Sequence, residues 1–331
     1  GVNTREILEW SLENIHCDNT GMQRIILKLL MKRSQRWRGV RMKHKVDNAI
    51  IMAAGTSSRF APLSYEKPKA LVEVRGEVLL ERQICQLKEA GIDDIIIVVG
   101  YKKEQFEYLT TKYGVKLIEN KEYLTRNNNS SIYAVKDYIG NSYICSADNY
   151  FSKNPFENSV DAAYYAAVFS EGDTKEWCMS EGEDGFINSV VIGGNHAWYM
   201  LGHTFWDRDF SNKFIDILND IYEKPETKDL LWESIFMMHL DELKMKIRKY
   251  PENFIFEFDT LDELREFDTT YVENTRSQIL KAAAKELNCE EKNIREVAAF
   301  KDGSNAAAGC RFKVFDQHFE YNYETKNLRR M

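Results

Sequence analysis

The chain lacks any uninterrupted apolar run approaching the ~20 residues that a membrane helix requires, although it is 331 residues long. No membrane-spanning helix and no membrane partner are therefore expected. No apolar signal core follows Gly1-Val2-Asn3-Thr4 either. The six cysteines, Cys17, Cys85, Cys145, Cys178, Cys289 and Cys310, are scattered, with no C-x-x-C pair and no zinc spacing. A disulfide framework and a structural zinc site are excluded on that pattern. Cys85 and Cys145 sit inside apolar stretches and read as buried free thiols, and a reducing cytoplasm is the expected compartment. The chain also lacks an excess of positive charge. Its net charge of −7 excludes a uniformly basic nucleic-acid binder. With 44% hydrophobic and 29% charged residues, a disordered chain is excluded as well.

The average charge conceals a split. Residues 1–46 carry ten Lys/Arg against four Asp/Glu, and Arg24 to Lys45 holds nine Lys/Arg and no acid. The remaining chain is correspondingly acidic. Residues 5–38 read as one or two helices, with Ile7, Leu8 and Leu12, then Ile25, Ile26, Leu29 and Leu30, at helical spacing. Asp18-Asn19-Thr20-Gly21 marks a turn between them. The basic run is read as a solvated helix face; a nucleic-acid arm or a clamp on the acidic body are the functional alternatives.

From residue 48 the pattern changes. Asn48–Ala54, Ile95–Gly100, Val115–Ile118 and Tyr143–Ala147 are short continuous apolar runs, as buried parallel strands are. Helical segments at 78–90, 102–113 and 130–138 lie between them. Strand and helix in alternation predict an α/β, Rossmann-like fold with a mixed, mainly parallel sheet. After residue 150 strands at 161–170, 186–192 and 196–206 follow without intervening helices. Helices near 208–223 and 229–243 and strands at 244–250 and 253–258 close the unit. A third piece begins near Tyr271, with a helix at 277–287 and a hairpin at 311–323. The expected division is a basic helical extension at 1–46, a catalytic domain at 47–268 and a small α+β extension at 269–331.

The loop after the first strand carries the most chemistry. In Ala53-Ala54-Gly55-Thr56-Ser57-Ser58-Arg59-Phe60-Ala61-Pro62-Leu63, small residues expose backbone N–H groups at the carboxyl end of a strand, where open α/β sheets bind ligands. Such a loop can cradle phosphates. Arg59 adds a cation, and Lys67-Pro68-Lys69-Ala70-Leu71 returns a lysine to the same edge. Asp148, after the fourth strand, reads either as a turn or cap residue or as a hard oxygen ligand for Mg²⁺. In Phe254-Ile255-Phe256-Glu257-Phe258-Asp259, strand alternation predicts Glu257 and Asp259 on one face and the phenylalanines on the other. That acidic face is either solvated or a metal site. Asp262 and Glu263 read as caps of the next helix.

The ordered loop, Arg59, Pro62-Leu63 and Lys67-Pro68-Lys69 resemble the signature of nucleotidyltransferases that couple an NTP to a sugar phosphate or alcohol phosphate. The family commonly has a second glycine where this chain has Ser57. Glu81-Arg82-Gln83-Ile84, Val98-Val99-Gly100-Tyr101, Asn127-Asn128 with Ser131-Ile132-Tyr133, Ser146-Ala147-Asp148-Asn149-Tyr150, Glu176-Trp177 and Phe256–Thr260 extend the likeness. Together they resemble bacterial CTP:phosphocholine cytidylyltransferases over about 47–268. The resemblance implies that Mg²⁺ is held by Asp148, Glu257 and Asp259. It implies Lys69 on the α-phosphate and incoming phosphate, and Arg59 on the leaving phosphates. Ala53 to Arg59, Asn128 and Ser131 would line the nucleotide pocket, with Gln83 and Gly100 near the base.

CTP and a small phosphorylated amino-alcohol are the expected partners, and nucleic acid is not. Choline, a quaternary ammonium, calls for aromatic faces with a carboxylate near. Trp177, Trp198, Tyr199, Trp206 and Trp232 are the aromatic candidates, Trp177 and Trp232 with Glu233 being the expected acceptor-binding set, and core packing is the alternative for any one of the aromatics. Phosphoethanolamine, 2-aminoethylphosphonate or a sugar 1-phosphate are the other acceptors the residues allow. A regulator that binds nucleic acid through residues 24–45 is the reading from a different class. Residues 300–323 faintly resemble the nucleotide-loop hairpin that opens choline-kinase-like domains and read as a remnant or docking element.

Overall fold

The computed structural model describes residues 43–301 and 307–331. The basic helices expected between residues 5 and 38 lie outside the described residues. Four parallel strands form the centre: β1 (Asn48–Ala53), β2 (Ile95–Val99), β3 (Lys116–Glu119) and β4 (Ser142–Ser146). They are joined by two long antiparallel strands, β5 (Tyr164–Glu181) and β6 (Ile187–Trp206), and by the short β7 (Lys246–Lys249), parallel to β5. The sheet order is β7-β5-β6-β4-β1-β2-β3. This is the mixed, mainly parallel sheet that alternating strands and helices imply. The three segments expected as separate strands after residue 160 merge into the β5–β6 hairpin.

Period-two alternation sorts the sheet residues into two cores. Ile51, Ile95, Ile97, Tyr143 and Cys145 face α1 (Leu79–Glu89) and α2 (Tyr108–Tyr113), contacting Leu80, Ile84, Leu87 and Leu109. Ile50, Ile96, Val98 and Ile144 face α3 (Asn129–Ala134), α4 (Arg208–Ile221) and α5 (Trp232–Met238). Both faces of the sheet are covered, so its strands must be apolar throughout. Cys145 is buried as expected, but Cys85 is exposed, because it lies on the outer side of α1. The helix expected at 229–243 is only the seven residues of α5, preceded by a 3₁₀ turn at Pro225–Asp229.

The strand expected at 253–258 is also shorter. Only Ile255–Phe256 pair, with Tyr150–Phe151. The chain then turns into α6 (Leu261–Phe267) through a capping box, in which Thr260 accepts from Glu263 N–H and the Glu263 carboxylate accepts from Thr260 N–H. Glu257 and Asp259 therefore stand in a turn, not on one face of a strand.

Beyond α6 come α7 (Gln278–Glu286) and a four-stranded antiparallel sheet, β8 (Ile294–Phe300), β9 (Gly309–Val314), β10 (Gln317–Asn322) and β11 (Leu328–Arg330). The expected helix and hairpin are part of it. Their apolar sides form a third core with Phe60, Ala61, Leu63, Leu79 and Phe258. This core crosses the expected division at residue 268.

Arg265 fastens the crossing. It is 2% exposed, and its guanidinium donates to the carbonyls of Tyr271 (3.2 Å), Glu291 (3.0 Å) and Ile294 (2.5 Å). Replacing it strands two buried acceptors and one half-buried one, groups that are normally paired. Arg265→Met is expected to cost about 3–5 kcal/mol, read as a lower midpoint in chemical denaturation monitored by circular dichroism.

Candidate active site

The carboxyl ends of β1, β3 and β4 open onto one cleft, as expected for a parallel sheet of this kind. Ala53, Ala54, Gly55, Ser57, Lys69, Asn128, Ser131 and Asp148 all line it. Thr56, Ser58 and Arg59 belong to the same loop and its following 3₁₀ turn, Ser58–Phe60. Ser57 adopts φ 48°, ψ 45°, the left-handed region. That conformation explains why glycine suits this position in related loops.

Lys69 is the centre of the cleft's electrostatics. Its side chain is 5% exposed, and its ammonium lies 2.8 Å from Asp148 and 3.7 Å from Asp259. Burial alone would lower the lysine's pKa. The charges of Asp148, Glu257 and Asp259 outweigh burial and raise it, so the ammonium stays charged. Asp148 shows the converse balance: burial opposes ionisation, but Lys69 and the Ser146 hydroxyl, donating at 2.7 Å, hold its pKa below the ordinary value. Arg59 reaches over the cleft and pairs with the other oxygen of Asp259. Asp259 thus links the two cations.

Among the described residues, Glu257 has no cation of its own. The charge of Asp148, followed by burial, pushes its pKa up to about 8. Asn149 donates to it at 3.5 Å. The expected trio of Asp148, Glu257 and Asp259 does meet at this edge. It is not gathered around a single point, however: among the described residues no three His, Cys, Asp or Glu side chains approach closely enough to share one ion. Lys69 stands between Asp148 and Asp259.

The comparisons with known proteins point the same way. A family model for the MobA-like NTP transferase domain matches residues 49–169. A choline-phosphate cytidylyltransferase of Streptococcus pneumoniae is 39% identical over 220 residues, 66% of this chain and 96% of that protein. A 2-aminoethylphosphonate cytidylyltransferase of Lancefieldella rimae is 36% identical over 234 residues, 70% of this chain and 95% of that protein. The solved structure of a CTP:phosphocholine cytidylyltransferase from Streptococcus pneumoniae matches with a TM-score of 0.65 at 38% identity, over 69% of this chain and 99% of that one. The chain belongs to the cytidylyltransferase branch of the nucleotidyltransferases.

Within this nucleotidyltransferase several expected site residues take other places. Gln83 is fully buried, and its amide donates to the carbonyls of Ser146 (2.8 Å) and Asn149 (2.9 Å). It braces the turn that presents Asp148 instead of meeting a base. Gly100 also acts on the cleft's wall: a Cβ there would lie 2.8 Å from the Tyr123 ring and 2.9 Å from the Ala54 carbonyl oxygen. Trp232 is 1% exposed, stacked at 15° on Tyr165 and edge-on to Trp206. It is core. Trp177 is partly buried on β5, packs against the second core and does not line the cleft. Glu233 does face polar partners. It accepts from Asn128 (3.1 Å) and Tyr165 (3.3 Å), and burial raises its pKa.

Sequence reasoning missed Asn120 and Tyr123, both in the cleft wall. Asn120 directly follows β3, donates to the hydroxyls of Ser130 (2.8 Å) and Ser131 (3.1 Å), and so fixes the start of α3. Its position just past a parallel strand was the available signal.

Two outcomes follow from this geometry. Glu257 has a native pKa of about 8 against an ordinary value of 4.5. The native state holds the extra proton between those values, so Glu257's own contribution to metal-free stability is full below about 4.5 and is lost as pH rises through about 8. Thermal melting across pH 5–9 reads this fall, and Glu257→Gln is expected to flatten it. Ser57→Gly, which relieves the left-handed strain, is expected to stabilise by about 0.5–1 kcal/mol; a lower denaturation midpoint would contradict that.

Proposed function

We propose that the chain transfers the cytidylyl group of CTP to phosphocholine, forming CDP-choline and releasing pyrophosphate. The observation that carries this reading is the buried, charged Lys69 between Asp148 and Asp259, with Arg59 beside it, at the mouth of a small-residue loop. An oxygen of the acceptor phosphate attacks the α-phosphorus, a new P–O bond forms, and the bond to the bridging α,β oxygen breaks. Both reactants are anionic, so their alignment demands fixed positive charge. Lys69 supplies it at the α-phosphate and Arg59 at the departing pyrophosphate. The acceptor oxygen is already ionised near neutral pH, so no general base is needed. The backbone of Gly55 to Ser58 positions the nucleotide, with Asn128 and Ser131 on the facing wall.

The donor set also fits a magnesium ion. Mg²⁺ prefers hard oxygen ligands and is commonly held by one or two carboxylates, with substrate phosphates and water completing its shell. Asp148 and Glu257 offer such oxygens, with Asp259 adjacent, and the raised pKa of Glu257 marks a surplus of negative charge there. When bound, the ion would neutralise phosphate charge. Binding would displace the proton of Glu257. The proposal includes a cytoplasmic location, in keeping with the free thiols of Cys145, Cys178 and Cys310.

One observation favours a second acceptor, 2-aminoethylphosphonate. The expected aromatic cage is thin, since Trp232 lies in the core, and a primary ammonium depends less on aromatic faces than a quaternary one does.

Pyrophosphate release, measured for each NTP with phosphocholine, phosphoethanolamine, 2-aminoethylphosphonate and glucose 1-phosphate, tests the reading. CTP with phosphocholine is expected to turn over fastest. No turnover of CTP with any small phosphate or phosphonate acceptor would sink it. Lys69→Met is expected to lower kcat by about 10²–10³-fold.

A further inference from the structure

Residues 268–300 and 309–323 close around the stretch of chain that bears Arg59 and Lys69. Before Lys69, Phe60, Ala61 and Leu63 are buried in the third core against residues such as Leu280, Ile294 and Phe312. β8 packs directly on the Ser58–Phe60 turn. Tyr65 stacks on Tyr323, with ring centroids 3.8 Å apart and planes 13° from parallel. The Glu66 carboxylate accepts from Ile279 N–H at 2.9 Å. After Lys69, the Glu73 carbonyl accepts from the Tyr271 hydroxyl at 2.6 Å, and Arg75 N–H donates to Asp268 at 2.7 Å. Both flanks of the lysine are therefore anchored from the same side.

The stack also reaches the nucleotide loop. The Tyr101 hydroxyl donates to the Tyr65 carbonyl at 3.4 Å, and Tyr101 N–H donates to the Ala54 carbonyl at 3.0 Å. Tyr323, Tyr65 and Tyr101 thus bracket the loop between Ala54 and Tyr65. The Streptococcus pneumoniae relative is matched over 96% of its length by 66% of this chain, so the other third of this chain has no counterpart in it.

We infer that the C-terminal segment is a positioning element of the active site, in which Tyr323, stacked on Tyr65, holds the Arg59–Lys69 stretch in the geometry that receives the triphosphate. This rests on the nucleotidyl-transfer reading. A cationic loop held in place before substrate arrives loses less freedom on binding, and small displacements of such groups are costly. Tyr323 touches no reacting atom; it acts through Tyr65.

Tyr323→Ala, Tyr323→Phe and Tyr65→Ala in the full chain test this, by steady-state kinetics with CTP and phosphocholine varied separately and by calorimetric CTP affinity. Both alanine variants are expected to weaken CTP binding and raise its KM about tenfold, with the acceptor KM changed less than about twofold. Tyr323→Phe, which keeps the ring, is expected to behave as the unaltered chain. Tyr65 is 42% exposed, so its alanine variant decides the matter alone if Tyr323→Ala fails to fold. Alanine variants that melt earlier or lose active fraction but keep CTP affinity and KM would overturn the inference. Turnover by the unaltered chain tests the transfer reading separately, because calorimetric affinity reports positioning whether or not an acceptor reacts.

Discussion

Lys69 holds a full positive charge at 5% exposure, 2.8 Å from Asp148 and 3.7 Å from Asp259. Few arrangements tolerate a buried ammonium, and each of them needs carboxylates within reach. The rest of the cleft follows from meeting that condition. Asp148 arrives on the turn after β4, braced by Gln83 from α1. Asp259 arrives from the far side of the sequence, on the capping turn of α6. Lys69 itself comes on the segment after the small-residue loop. Three distant parts of the chain thus meet because one charge must be balanced. The match is incomplete: Glu257 adds a third carboxylate that the two cations do not fully neutralise. A site left slightly too negative in its own fold is suited to a cation that arrives with a polyphosphate.

Much of this was legible in the sequence, and the reason differs by element. The parallel strands were clear because both faces of the sheet are covered, which forces continuous apolar runs such as Ile95–Val99. The loop was clear because Ala53-Ala54-Gly55, Arg59 and Lys69 combine small residues with fixed charge in one order. Strand alternation through residues 254–259 brought Glu257 and Asp259 to the site for a reason the fold does not use. Pairing ends at Phe256, since the partner strand, Tyr150–Phe151, is itself only two residues long. The capping box then turns the chain, and it is the turn that delivers the carboxylates.

Trp232 went to the core for a general reason. An aromatic side chain in a sequence carries no mark that separates a ligand-facing ring from a core one. Trp232 sits one position before Glu233 on α5, and a helix places such neighbours about 100° apart. The Glu233 carboxylate turns to Asn128 and the Tyr165 hydroxyl, while Trp232 packs on the Tyr165 ring, Trp206 and Phe214. Gln83 misled in a similar way. An amide on a helix near a ligand edge suits a base, but its donors instead satisfy backbone carbonyls that burial would otherwise strand.

The boundary at residue 268 was drawn where the family likeness ends, and the packing runs straight across it. Likeness to a smaller relative marks what the chemistry requires; burial marks what this chain requires to hold that chemistry still. Phe60 and Leu63 are apolar residues on the outer side of the loop that bears Arg59, and such residues must be covered by something. Here α7 and the β8–β11 sheet cover them. Once the loop's apolar side is shared with a second layer, the two no longer settle independently. The Tyr65–Tyr323 stack and the Glu66–Ile279 hydrogen bond are then contacts between the Arg59–Lys69 segment and its support, and the stiffness of Arg59 and Lys69 becomes a property of the C-terminal segment as much as of the loop that bears them.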